Sequence, residues 1–238
     1  MMKKIFFILT MTLLISCNNK EKEVVTISAA ASLTDGIEEI AKKYTKETGI
    51  EVMINLGASG SLRRQMEEGA PVDFIFLASK KHIDKLIEKN MIDTRKDLLE
   101  NTLVVIGNKK INDLEDILKD TKHPLAMGDP DFVPAGRYAR EALRSAGLWE
   151  DLKGKVLLTK DVRSALFYVK SREVDYSIVY KTDALLLKDR EIYPIDSALH
   201  SQITYSSGVK VGSTPGKKFN DYLINNIEIF EKYGFQVR

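Results

Sequence analysis

The chain is predicted to adopt an α/β fold with mainly parallel sheets. Three observations carry this. Short apolar runs alternate with amphipathic stretches along most of the chain. Several of those runs are unbroken, the mark of strands buried on both faces. Glycine or proline stands at many junctions, where a helix must stop or a turn begin. At 238 residues the chain suits one large or two modest domains. No long linker or fixed-period repeat occurs, so two domains would share short crossovers.

Val24-Val25-Thr26-Ile27 is the first strand, and Ser28-Ala29-Ala30-Ala31-Ser32-Leu33 leads from it into a helix. That helix carries Ile37, Ile40, Ala41 and Tyr44 at helical spacing and stops at Gly49. The pattern repeats at Val52 to Leu56, followed by Gly57-Ala58-Ser59-Gly60 and a helix from Ser61 to Gly69. After Pro71, Phe74 to Ala78 reads as a buried strand, with a helix near 81–89 behind it. Leu103 to Ile106 is a strand and Ile111 to Leu118 a helix. Pro124 to Met127 is a short strand ended by Gly128-Asp129-Pro130, and Val133-Pro134-Ala135-Gly136 opens a helix with Tyr138, Ala142 and Leu143 on its apolar face. Val156 to Leu158 is a strand, and Asp161-Val162-Arg163 starts a helix carrying Ala165, Leu166 and Val169. Tyr176 to Tyr180 is a strand with a helix from Thr182. Ile192 to Ile195 and Tyr205 to Val211 are strands, and Pro215 starts the last helix, which ends near Tyr233-Gly234.

Composition narrows the function. The chain is 44% hydrophobic and 29% charged, ordinary for a protein that buries a core, and its net charge is +2. Its lysines and arginines are spread over helix faces without aromatic interleaving, which argues against a nucleic-acid partner. Residues 1–17 read as an export signal: Lys3 and Lys4 precede an apolar run from Ile5 to Ile15, too short for a comfortable membrane span. Leu14-Ile15-Ser16-Cys17 looks like a bacterial lipobox, making 1–17 a lipoprotein signal peptide, Cys17 the lipid attachment point and 18–23 a tether. A plain secretory signal with an incidental cysteine is the alternative. Cys17 is the only cysteine, which excludes an internal disulfide or a cysteine metal centre.

No catalytic constellation stands out. His82, His123 and His200 lie in polar, charged surroundings and read as surface histidines. No HExxH, GxSxG, zinc-spaced cluster or phosphate-loop lysine occurs, and no GxGxxG follows a strand. Asp129, Asp161 and Asp183 fall at turns or helix starts and read as N-caps.

The two serine turns are more informative. Helix N-termini carry unpaired N–H groups and a partial positive charge, so two such turns can hold an anion between them. Each candidate position also has a plainer explanation. Ser32 with Asp35 fits an S-x-x-D capping box. Ser59 can be an ordinary cap, and Val133 to Gly136 a proline-started helix. Val162 can be core, and Tyr180 a buried strand end with a satisfied hydroxyl. Convergence favours a site: ligands of open α/β sheets lie beyond strand carboxyl ends, where all five positions fall.

Together these motifs resemble the molybdate-binding proteins of ABC-type importers. The resemblance rests on Ala29-Ala30-Ala31-Ser32-Leu33, Gly57-Ala58-Ser59-Gly60, Gly69-Ala70-Pro71-Val72-Asp73, Gly128-Asp129-Pro130, Val133-Pro134-Ala135-Gly136-x-Tyr138-Ala139, Asp161-Val162-Arg163, Ile178-Val179-Tyr180-x-x-Asp183-Ala184 and Tyr233-Gly234-Phe235. These span nearly the whole exported chain in order. The resemblance implies a two-lobed periplasmic-binding-protein fold of type II, with mixed, mostly parallel sheets. It implies that 24–102 and 196–238 form one lobe and 103–195 the other, with the ligand cleft between them. It also implies that Ser32 and Ser59 hold an oxyanion through hydroxyl and amide, Ala135 and Val162 through amides and Tyr180 through its hydroxyl. These groups would touch the metal only through its oxygens.

The expected protein is thus a monomeric extracytoplasmic lipoprotein without a cofactor. It would capture molybdate or tungstate for an ABC permease. A sulfate or phosphate carrier of the same fold is the near alternative, and an enzyme on this fold a more distant one. All donors being neutral and no histidine lying among them, affinity is expected to be flat between about pH 6 and 8. Asp35 must point away from the anion. Two positions depart from the family pattern: Ser177, where glycine is usual, and the polar run Tyr205-Ser206-Ser207-Gly208.

Overall fold

A computed structural model describes residues 23–119 and 125–238. The expected signal peptide, Cys17, most of the tether, His123 and Pro124 lie outside the described residues. The chain first builds β1 (Val24–Ala30), α1 (Thr34–Thr48), β2 (Glu51–Gly57), α2 (Ser59–Glu67), β3 (Phe74–Leu77), α3 (Lys80–Glu88) and β4 (Ile92–Glu100). It then crosses at 101–102 into β5 (Leu103–Gly107), α4 (Asp116–Lys119), β6 (Leu125–Gly128), α5 (Pro134–Ser145), α6 (Trp149–Leu152), β7 (Val156–Thr159), α7 (Val162–Lys170), β8 (Tyr176–Tyr180), α8 (Lys181–Ala184) and β9 (Glu191–Pro194). A second crossing over 195–203 returns it to β10 (Thr204–Lys210), α9 (Thr214–Ile224) and β11 (Gln236–Val237).

The result is two sheets, of six strands in the order β11-β4-β10-β3-β1-β2 and five in the order β7-β6-β8-β5-β9. Each sheet with its helices forms one lobe. The two crossings run together, the Asn101 amide donating to the Ile203 carbonyl at 3.4 Å.

Local chemistry explains most elements. β3 and β5 are unbroken apolar runs and are buried at every residue. α1 buries Ile37, Ile40, Ala41 and Tyr44 and ends at Gly49 with φ 74°, a left-handed cap that glycine adopts without strain. β2, at a sheet edge, alternates exposed and half-buried residues.

Parallel pairing is less dominant than expected. β1 pairs in parallel with β2 and β3, and β6 with β7 and β8, but β10 and β5 run antiparallel to both their neighbours, and β11 to β4. A parallel partner needs a long, usually helical crossover. β5 and β10 enter their sheets directly from the lobe crossings, with no α-helix between.

The expected helix at Ile111 to Leu118 shrinks to α4. There the Asp116 carboxylate accepts from the Asn112 amide at 2.8 Å and the Asp113 amide at 3.4 Å, a local turn that competes with helix. β4 had no signal because Asp93, Thr94, Arg95 and Lys96 are all exposed. The atypical serines are accommodated: Ser177 donates to the Ala165 carbonyl at 2.8 Å, and Ser206 to Asp97 at 2.6 Å. Among the described residues no helix is long and apolar enough to cross a membrane.

Candidate anion-binding cleft

All five expected positions line one narrow cleft. β1 and β2 pair with Ala30 opposite Gly57, so the turns that follow them lie side by side. Ser32 sits in a single 3-10 turn, Ala31–Leu33, and Ser59 is the first residue of α2. From the other lobe come Ala135 near the start of α5, Val162 at the start of α7, and Tyr180 at the end of β8. None of the five is more than 3% exposed.

The plainer explanations for the serines fail. Neither α1 nor α2 has a side-chain N-cap, and α1 begins only at Thr34, so Ser32 and Asp35 form no capping box. The Ser59 hydroxyl oxygen accepts from the Ala78 amide at 3.0 Å, which leaves its proton to donate. The Ser32 hydroxyl lies 2.9 Å from that of Tyr205.

The amide donors follow from sequence chemistry. Pro134 opens α5 and has no N–H, so the first amide of that helix belongs to Ala135. Gly136 lets this helix start sit on the end of β6, since a Cβ there would lie 1.8 Å from the Gly128 carbonyl oxygen. Asp161 caps α7 as expected, accepting from the Ser164 amide at 2.7 Å and leaving the Val162 amide unclaimed by that cap. The Tyr180 hydroxyl is buried and has no hydrogen-bond partner among the described residues. A native protein seldom leaves such a group unpaired, because a buried orphan costs about 1–3 kcal/mol. Burial pushes the Tyr180 phenol well above its ordinary range, so it is a protonated donor at any physiological pH.

Of the charged residues at the cleft, Asp161 lines it with its carboxylate bound to the Ser164 amide, and Arg163 beside it is paired. The Arg163 Nη2 donates to the Asp35 carboxylate at 2.6 Å, and its Nε lies 2.5 Å from a carboxylate oxygen of Asp183. Asp35 belongs to α1 and Arg163 to α7, so this pair bridges the lobes. Asp183 is therefore not the expected N-cap but a fully buried ion-pair partner. Burial pushes its carboxyl up to about 6, against the opposing pull of Arg163. His82 also departs from expectation: it is half-buried, and burial, aided by Arg63 and Arg137, lowers it to about 4.

Other contacts across the cleft were not legible in advance. The Gly60 amide of α2 donates to the Phe132 carbonyl at 2.9 Å, and a Cβ on Gly60 would lie 2.6 Å from that oxygen. The Arg64 guanidinium stacks 3.9 Å from the Phe132 ring centroid. The lobes are thus closed on the site. Gly60 stood out as part of a turn, but its partner is over seventy residues away.

Comparison with known proteins agrees with this architecture. The family model for bacterial extracellular solute-binding protein matches residues 25–236. The molybdate-binding protein ModA of Escherichia coli (strain K12) is 38% identical over 232 residues, covering 90% of this chain and 89% of that protein. A Bacillus subtilis (strain 168) relative, YvgL, a candidate ABC transporter substrate-binding lipoprotein, is 37% identical over 236 residues, covering 92% and 89%. The periplasmic molybdate-binding protein of Azotobacter vinelandii superposes with a TM-score of 0.81 at 18% identity, covering 90% of this chain and 99% of that one, a likeness of fold. Two helix-flanked sheets with a cleft between them, matched by that family nearly end to end, make this chain a member of the bacterial extracellular solute-binding proteins, carriers of ABC transport rather than enzymes.

Proposed function

We propose that the protein captures molybdate, and tungstate of the same shape and charge, outside the cytoplasm and delivers it to an ABC permease. The observation that carries this reading is the meeting of five neutral donor positions from both lobes in one closed cleft. Ser32 and Ser59 offer hydroxyls and amides, Ala135 and Val162 offer amides, and Tyr180 offers its phenol. A hydrogen bond to a charged group contributes roughly 1.5–3 kcal/mol. Several together can exceed the cost of dehydrating the ion and closing the lobes, since micromolar binding needs only about −8 kcal/mol. Neutral donors and helix dipoles balance a dianion without the tight hold of an arginine clamp, which suits a ligand that must be released. Arg163 does not serve as such a clamp, being engaged by Asp35 and Asp183.

The E. coli relative is named for molybdate, which supports the choice of ion. The B. subtilis relative supports the lipoprotein reading, in which Cys17 carries the lipid and the monomeric carrier works tethered to the outer face of a membrane. Sulfate and phosphate would be discriminated by size, since a larger oxyanion reaches donors on both lobes at once. Thermal melting against a panel of molybdate, tungstate, sulfate and phosphate tests the reading. Molybdate and tungstate should raise the melting temperature most. A larger rise with sulfate or phosphate would replace the proposed ligand.

A further inference from the structure

We propose that Tyr205 is a positioning residue that commits the Ser32 hydroxyl to donating into the cleft, and that Asn101 sets the direction of Tyr205. The inference rests on the oxyanion reading above and names a group outside the five donor positions.

The direction of each hydrogen bond can be worked out from one end. Asn101 lies in the first lobe crossing, and its Oδ1 accepts from the Thr102 amide at 2.9 Å. A backbone N–H can only donate, so this bond fixes which end of the Asn101 amide is oxygen. Its Nδ2 then donates both hydrogens, to the Thr182 hydroxyl at 2.9 Å and to the Tyr205 hydroxyl at 3.3 Å. The Tyr205 oxygen is therefore an acceptor toward Asn101, and its own proton is available to Ser32 at 2.9 Å, in a contact where either hydroxyl can donate. In the proposed relay the Ser32 oxygen accepts that proton. Its own hydrogen is then free to turn away from Tyr205 and into the cleft that Ser32 lines.

The ring of Tyr205 is held for this task. It is fully buried in β10, with edge-on or tilted contacts to Phe235, Tyr180 and Phe76 at centroid distances of 5.2, 5.7 and 6.5 Å. Burial keeps its phenol protonated, so the chain of donors has one direction at all physiological pH values. Without Tyr205 the Ser32 hydroxyl could rotate and offer a lone pair as readily as a proton. With it, Ser32 is a donor only, which suits an oxyanion bearing no proton of its own. Ser59 is set in the same way by a backbone amide, that of Ala78. Because Asn101 also holds Thr182 of the second lobe, the relay passes through the crossing that joins the lobes.

The test is a double-mutant cycle read by calorimetric titration with sodium molybdate: Tyr205→Phe, Ser32→Ala and both together. Tyr205→Phe keeps the ring and removes only the hydroxyl, and should weaken binding by about 3- to 10-fold. Ser32→Ala should weaken it by about 10- to 100-fold. If Tyr205 acts through Ser32, the double variant binds no more weakly than Ser32→Ala alone, a result that a general packing role would not give. Should Tyr205→Phe fold poorly, Asn101→Ala supplies a second variant, whose smaller loss must likewise vanish in the Ser32→Ala background. Wild-type affinity in Tyr205→Phe, or losses that multiply in the double variant, would overturn the relay. Wild-type protein that binds sulfate but not molybdate would overturn the ligand and not the relay, which the same cycle then reads with sulfate. Binding of neither ion overturns both.

Discussion

The two sides of the cleft solve one problem by different means. In the proposed site the first lobe adds to the Ser32 and Ser59 amides the rotatable hydroxyls of the same residues, each with a neighbour that fixes its proton: Tyr205 for Ser32 and the Ala78 amide for Ser59. The second contributes the amides of Ala135 and Val162, aimed by the helices they begin, and the orphan hydroxyl of Tyr180. An amide keeps its direction whatever side chain its residue carries, whereas a hydroxyl is lost with one substitution. The first lobe should therefore be sensitive to side-chain identity and the second, apart from Tyr180, to backbone placement.

The harshest way to break this comparison is to keep every donor and stop the lobes from meeting. Gly60→Ala puts a methyl 2.6 Å from the Phe132 carbonyl oxygen. Calorimetry should show molybdate affinity falling by about 100-fold or more, since donors from one lobe alone cannot hold the ion. Undiminished affinity would mean that the closed contact is not required. Next in size is Ser59→Ala, expected to weaken binding by about 1–3 kcal/mol with little change in fold. Tyr180→Phe should cost binding a similar amount while the ligand-free protein melts at the same or a higher temperature, because the variant removes a buried orphan hydroxyl. A lower melting point would show that the phenol has a structural partner. The smallest effect belongs to Val162→Ala, which keeps the amide. Affinity should stay within about threefold, although the two lost methyls reduce stability by about 2 kcal/mol.

Protonation gives a separate test on the second lobe. In the folded protein Asp183 releases its proton at about 6, above the 3.8 of a free carboxyl. Between those values the folded state holds a proton that the unfolded chain has lost, so this group lowers stability as pH rises toward 6 and adds nothing further above it. The melting temperature of wild type should fall relative to Asp183→Asn between about pH 4 and 6, and the gap should then level off. A gap that stays constant with pH would mean that Arg163 holds Asp183 ionised throughout. The same titration limits the flat affinity expected from the lack of histidine, since a charge near the cleft changes at the lower edge of that window.

Much of the fold could be read in advance because its signals are local. Unbroken apolar runs such as Phe74 to Leu77 show a buried strand, and Pro134 or Gly49 shows a helix boundary. β4 was not legible, because its charged residues are organised by β10 and β11 from a distant part of the chain. In the site, the five positions could be named from their turns, yet the role of each stayed ambiguous. A serine that caps a helix and one that does not look alike in sequence; only the fold shows that Ser32 meets Tyr205 and not the first turn of α1. Asp161 and Asp183 looked equivalent, and one is a cap while the other is a buried ion-pair partner.

Backbone conformation and apolar periodicity act within a few residues, and so the strand–helix rhythm and the small, serine-bearing turns were written into the chain itself. The direction of sheet pairing, the closure of Gly60 on Phe132, the Arg163 bridge and the aim of the Ser32 proton arose only on folding. Each is a contact between residues far apart in the chain, and no local pattern encodes such a contact because its energy exists only once both partners are brought together.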